Sequence, residues 1–159
     1  MYRLFLLFSL INISQAQYIR YGDKVKFYTF NQGYFHVDQK DGKIRASNIP
    51  ASIFEIRNPT NYKSQDILLG GQAINLIYNN MTCKITPEGF VISSPNVQGG
   101  DQIRILDKHG RDKIQIYDEA YIKFRQPGNG IDCSLQRKKA LNCKIKRSWE
   151  YYGFVIIKD

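Results

Sequence analysis

The chain has 159 residues, 43% of them hydrophobic, 13% aromatic and 23% charged, with a formal net charge of +9 at pH 7. That apolar content is enough for a packed core, which excludes wholesale disorder, and the length suits one domain of roughly 100–200 residues. Twelve glycines and five prolines are too few for a collagen-like or low-complexity chain, and the composition argues against several membrane spans.

The first segment reads as an address. Met1-Tyr2-Arg3 is a short positive start, Leu4 to Ile13 is apolar, and Ser14 and Ala16 are the small residues of a cleavage site. This is the layout of a secretory signal peptide over residues 1–16, cut before Gln17. Ten apolar residues cannot cross about 30 Å of hydrocarbon as a helix, which takes about 20. Residues 17–159 are therefore expected to form a single exported domain, secreted or held on an external surface, with no transmembrane segment.

Beyond Gln17 the pattern is strand after strand. Lys24-Val25-Lys26-Phe27-Tyr28, Ala73-Ile74-Asn75-Leu76-Ile77-Tyr78 and Lys113-Ile114-Gln115-Ile116-Tyr117 each alternate polar and apolar residues, the period of a half-buried strand. A second run follows each: Phe35-His36-Val37, Cys83-Lys84-Ile85 and Ile122-Lys123-Phe124. A third follows a glycine-containing turn: Ile44 to Ser47, Phe90 to Ser94 and Ile131 to Ser134. Phe54-Glu55-Ile56, Ile103-Arg104-Ile105 and Phe154-Val155-Ile156 close the units, about 18–57, 72–106 and 112–158. Asp41-Gly42 and Asn129-Gly130 are hairpin-turn chemistry, because both residue types tolerate positive φ. No stretch sustains a 3.6-residue stripe, so little helix is expected.

Three such units of four short strands, about twelve in all, resemble a β-trefoil. That architecture is shared by ricin-B-type lectins, fibroblast growth factors, interleukin-1-like cytokines, fascins, MIR domains and Kunitz soybean-type inhibitors. The resemblance implies an all-β fold and a binding function, but these families bind sugars, receptors, actin or proteases on one frame. The ricin-type Gln-x-Trp is missing from all three units, and Trp149 is the only tryptophan.

Comparing the units points to one loop. Between third and fourth strands, unit one has six residues (48–53), unit two eight (95–102) and unit three nineteen (135–153). Six of the eleven residues from Arg137 to Arg147 are basic and none is acidic. Concentrated like charge repels itself unless a partner neutralises it, and outside a cell the abundant polyanions are sulfated glycans and anionic surfaces. Arg137, Lys138, Lys139, Lys144, Lys146 and Arg147 are thus the candidate polyanion-binding residues, with Trp149 beside them to stack on sugar rings. The resemblance to fibroblast growth factors implies the same region, since their heparin-binding residues also lie in the third unit. Tyr151 and Tyr152 follow, as further stacking groups or as cover for the barrel end.

Cysteines and motifs complete the reading. Cys133 and Cys143 are spaced to close a short loop as a disulfide, and Cys83 is left over as a small buried apolar residue, or as an intermolecular link. Asn80-Met81-Thr82 is an N-glycosylation sequon at a predicted turn. Metal ligation lacks donors: His36 and His109 are far apart, and no Cys-x-x-Cys occurs. No hydrolase, metalloprotease or phosphate-loop pattern appears, so no catalytic residue, metal or cofactor is expected and the chain is read as a non-enzyme. Nucleic acid fits the charge but not the export signal.

The expected function is a secreted, lectin-like protein that attaches to heparin-like anionic glycans, or similar surfaces, through the third-unit loop. One alternative is a structural protein of an extracellular coat, such as a spore or cyst wall, which the AT-rich codons of the abundant Ile, Asn, Lys, Tyr and Phe also suit. Another is a cytokine- or inhibitor-like ligand of a host protein.

Overall fold

The computed structural model describes residues 17–30, 32–95, 102–128, 130–135, 140–144 and 153–159. The signal segment 1–16 lies outside the described residues, as do Arg137, Lys138, Lys139, Lys146, Arg147, Trp149, Tyr151 and Tyr152. Among the described residues there is no helix, and so none long and apolar enough to cross a membrane.

Eleven strands form in chain order: β1 (Lys24–Thr29), β2 (Gly33–Val37), β3 (Ile44–Ser47), β4 (Phe54–Arg57), β5 (Ala73–Tyr78), β6 (Met81–Thr82), β7 (Lys84–Ile85), β8 (Val91–Ile92), β9 (Ile103–Asp107), β10 (Tyr121–Arg125) and β11 (Phe154–Lys158). Six of them close an antiparallel barrel in the order β1-β4-β5-β9-β10-β11, with β11 returning to β1 through Val25↔Lys158 to Tyr28↔Val155. The β2–β3 hairpin extends from β1, β6 pairs with β5, and β7–β8 form a separate ribbon.

The all-β class stands, but the expected β-trefoil of three four-strand repeats does not: a closed six-strand antiparallel barrel carries five further strands, eleven in all rather than about twelve. Four strands fall in the first expected unit, five in the second and two in the third. In the expected third unit the barrel strand lies not at Lys113–Tyr117 but further along the chain. Lys113–Tyr117 makes only isolated bridges, Leu69↔Gln115 and Tyr18↔Tyr117, whereas Ile122-Lys123-Phe124 supplies the barrel strand. Both stretches alternate apolar and polar residues, so period-2 patterning could not choose between them. The backbone does choose. Ile19, Leu68 and Ile116 hydrogen-bond in a ring, N–H of Leu68 to Ile19 (2.8 Å), of Ile19 to Ile116 (2.9 Å) and of Ile116 to Leu68 (3.0 Å).

That ring sets a turn at the foot of each barrel pair. Gly22, Gly71 and Glu119 donate to Ile56, Ile105 and Ile156 at 2.7–2.8 Å, all three with positive φ. Glycine takes that conformation freely; Glu119 takes it at φ 63 despite its side chain.

Inward positions of the barrel strands make the core. Phe27 sits in its middle, with ring centroids of Phe35, Phe54 and Phe124 at 5.6, 5.7 and 4.9 Å, and Phe154 packs on Phe35 and Phe124. All five are at most 1% exposed. Burying each contributes about 1.5–3 kcal/mol. Inward parity is therefore fixed by packing, which leaves the outward positions free to carry function.

Candidate functional site

The third unit returns to the core where the sequence suggested one long loop. Ala140, Leu141, Asn142 and Cys143 are 8%, 1%, 5% and 0% exposed. Ser134 and Asn142 exchange backbone hydrogen bonds at 2.8 and 3.0 Å, and the N–H of Leu141 bonds the carbonyl of Ile44 at 2.8 Å. The expected nineteen-residue excursion 135–153 is thus interrupted at 140–143 by a buried stretch. The reason is apolar content: Ala140, Leu141 and Cys143 interrupt the basic run and gain more from burial than from water.

Cys133 and Cys143 are joined by a disulfide, as their spacing implied. Asn142 secures the same stretch through its side chain. Its Nδ2 donates to the Glu88 carbonyl (3.2 Å) and its Oδ1 accepts the Lys144 N–H (2.8 Å). Lys144 is exposed and its ammonium donates to the Pro87 carbonyl. Of the seven proposed polyanion-site residues, Lys144 alone lies among the described ones. The flanks of the others are fixed: Leu135 and Ala140 are buried on either side of Arg137-Lys138-Lys139, and Lys146, Arg147 and Trp149 lie between Lys144 and β11.

Where the chain rejoins the barrel at β11, the outer face is aromatic. Tyr34, Tyr28, Val155 and Tyr121 form one row across β2, β1, β11 and β10, by the pairs Tyr28↔Tyr34, Tyr28↔Val155 and Tyr121↔Val155. Phe30 extends it: its ring stacks on Tyr121 at 5.9 Å and meets Tyr28 edge-on at 5.7 Å. Phe30 and Tyr121 are 50% and 47% exposed. Lys26 caps the far end, its ammonium 5.7 Å from the Tyr34 ring centre. Continuing the β1–β11 register by two residues sets Phe30 opposite Gly153, the last residue before β11. Aromatic rings with an ammonium group at one end suit ligands with flat apolar faces and acidic substituents.

The sequence reading missed this row, although its signal was present. Tyr28 and Tyr121 stand at outward positions of strands whose inward partners are Phe27 and Ile122. A large aromatic on the outward parity is the mark of a surface kept for contact.

The remaining candidates resolve separately. Cys83 is 2% exposed, and burial pushes its thiol up to about 12 against a small opposing hydrogen bond with Ser93. A neutral buried thiol is neither a nucleophile nor placed for an intermolecular bridge. Asn80 is exposed in a two-residue turn between β5 and β6, with φ of 47 and 62 at Asn79 and Asn80, the turn geometry that asparagine favours. His36 is half-buried with Nδ1 3.3 Å from Ser47 Oγ, and its cross-strand partner is Arg45. His109 is exposed in the turn after β9. Among the described residues no cluster of three histidine, cysteine or acidic side chains is placed to hold a metal.

No protein-family model matches the chain, and no curated protein matches it. The functional reading therefore rests on the residues themselves.

Proposed function

We propose that this chain is a secreted glycan-binding protein, not an enzyme, and that it docks on anionic, heparin-like glycans through the basic third-unit segments. The observation that carries the reading is the anchored stretch Ala140–Cys143. It is buried and disulfide-linked, and all six basic residues from Arg137 to Arg147 lie within four residues of its ends. Pinning reduces the ordering cost of presenting that charge to a ligand. The aromatic row supports the same reading, because it starts where the second basic segment ends.

Export is part of the proposal. It rests on the leader pattern of residues 1–16 and agrees with an intramolecular disulfide. A glycan on Asn80 follows from it, since the turn leaves that side chain exposed. The coat-protein reading loses its covalent link with Cys83 buried, and nothing specific favours a protein ligand role.

The test is the salt dependence of binding to immobilised heparin. Residues 17–159 are compared with a variant carrying Gln at Arg137, Lys138, Lys139, Lys144, Lys146 and Arg147. The wild type should lose affinity steeply as salt rises. The variant should bind at least about a hundredfold more weakly at physiological salt, six contacts at about 0.5–1 kcal/mol each. Equal affinity and equal salt slope in the two proteins would remove the segments from the account.

A further inference from the structure

Across the barrel from the aromatic row lies a second, chemically different surface. β5 and β9 occupy the opposite side of the ring from β11 and β1. Between them and β6–β7 runs a groove of about 630 Å³, bordered by Asn75, Thr82, Lys84, Gln102 and Arg104. Pro127, in the turn after β10, forms one rim. The volume falls in the usual range for small-ligand sites, about 300–1,000 Å³.

Its charge is one-sided. Arg104 and Lys84 supply two cations, and no carboxylate lines the groove among the described residues. The neighbouring basic residue is already neutralised: Arg125, register partner of Arg104, donates Nε to Asp132 at 2.7 Å. Among the described residues Arg104 makes no ion pair, and its Nε is buried with no hydrogen-bond partner there. With no side-chain partner among the described residues, the guanidinium keeps its Nη groups for an incoming acceptor. Around the cations stand neutral hydrogen-bonding groups. Gln102 Nε2 donates to Asn75 Oδ1 at 3.1 Å, which aligns both amides and leaves Asn75 Nδ2 and Gln102 Oε1 for other partners; Thr82 adds a hydroxyl.

We propose that this groove binds a monosaccharide unit bearing one acidic group, a sulfate or a carboxylate. Arg104 and Lys84 take the anion, the guanidinium by its fork and the ammonium as a point charge. Asn75, Gln102 and Thr82 take the sugar hydroxyls. The site uses no residue of the third-unit segments and does not depend on their function.

The test is a backbone amide NMR titration of the protein with N-acetylglucosamine 6-sulfate, glucuronic acid, inorganic sulfate and unmodified N-acetylglucosamine. It is run in the six-fold Gln variant, so that the basic segments cannot contribute. Saturable shifts at Ala73, Asn75, Thr82 and Gln102 are expected with an acidic sugar. The two acidic sugars tell sulfate from carboxylate, and the other two ligands should bind at least tenfold more weakly. Arg104→Gln should weaken the acidic sugar about tenfold or more, and Arg104→Lys should recover only part of it. Lys84→Gln carries the same test should Arg104→Gln lose its dispersed native spectrum. Absence of saturable shifts with both acidic sugars, equal binding of the neutral sugar, or unchanged affinity in the folded variants would overturn the proposal.

Discussion

The two outer faces of the barrel are built on the same inward pattern and differ only where packing leaves the chain free. On the β1–β11–β10 side the outward residues are Tyr28, Tyr121 and Val155, extended by Tyr34 and Phe30. On the β5–β9 side they are Asn75, Gln102 and Arg104, with Thr82 and Lys84 beside them. The core beneath both is phenylalanine and aliphatic. In a barrel of this kind the inward residue sets stability and the outward residue sets chemistry, so a surface can be rebuilt without disturbing the fold. The contrast also separates the two proposed modes of binding. Stacking beside concentrated charge favours an extended polyanion, whereas a polar groove with two cations favours one acidic unit.

The contrast can be broken most strongly at the disulfide. Cys133→Ala with Cys143→Ala frees the stretch that anchors both basic segments. Loss of a ten-residue closure costs roughly 2–3 kcal/mol in the chain-entropy model. Tm by calorimetry should fall by about 5–10 °C, and heparin affinity should fall with it. Binding in the Arg104 groove should survive at temperatures where the variant is folded, because neither cysteine lines the groove.

Trimming the aromatic row is the next largest change. Phe30→Ala and Tyr121→Ala should each reduce heparin affinity about fivefold, near 1 kcal/mol, and lower Tm by no more than a few degrees. Titration of the groove should be unaltered. A loss in both faces would show that the two are coupled through the barrel.

Smaller effects test the frame itself. Glu119→Gly replaces the one non-glycine among the three equivalent turns. Relief of the left-handed conformation should stabilise the protein by under about 1 kcal/mol, offset in part by glycine's unfolded-state entropy, with both faces unaffected. Asp41 gives the smallest effect. A forked hydrogen bond from Arg45, 2.9 Å to each oxygen, holds its carboxyl at about 2. The folded value lies below the unfolded one, so the contribution is complete above about pH 4 and is lost as pH falls toward 2. The pair is partly open to solvent, so screening should keep the loss below about 1 kcal/mol in acid-unfolding curves. Asp41→Asn should remove that part of the pH dependence.

Much of this molecule was legible in the order of its residues. Alternation around Val25-Lys26-Phe27 and Ile74-Asn75-Leu76 gave the strands of the first two barrel pairs, and the Cys133–Cys143 spacing gave the disulfide. Register in the third unit was not legible. Ile114–Ile116 and Ile122–Phe124 alternate equally well, and only long-range pairing of Ile116 with Ile19 and Leu68 decides between them. The loop was half legible: its charge was plain, but the fact that Leu141 bonds Ile44 in the cap depends on contacts nearly a hundred residues apart in sequence. The groove was hidden for the same reason. Asn75, Lys84 and Arg104 read as ordinary outward residues until β5 and β9 bring them to one surface.

The most direct measurement is a map of backbone amide shifts in residues 17–159 on titration with a heparin-derived tetrasaccharide. The account predicts the largest saturable shifts at Lys144, Gly153, Phe30 and Tyr121, fading as salt is raised. Shifts confined to other parts of the barrel, or none at these residues at saturating ligand, would contradict it.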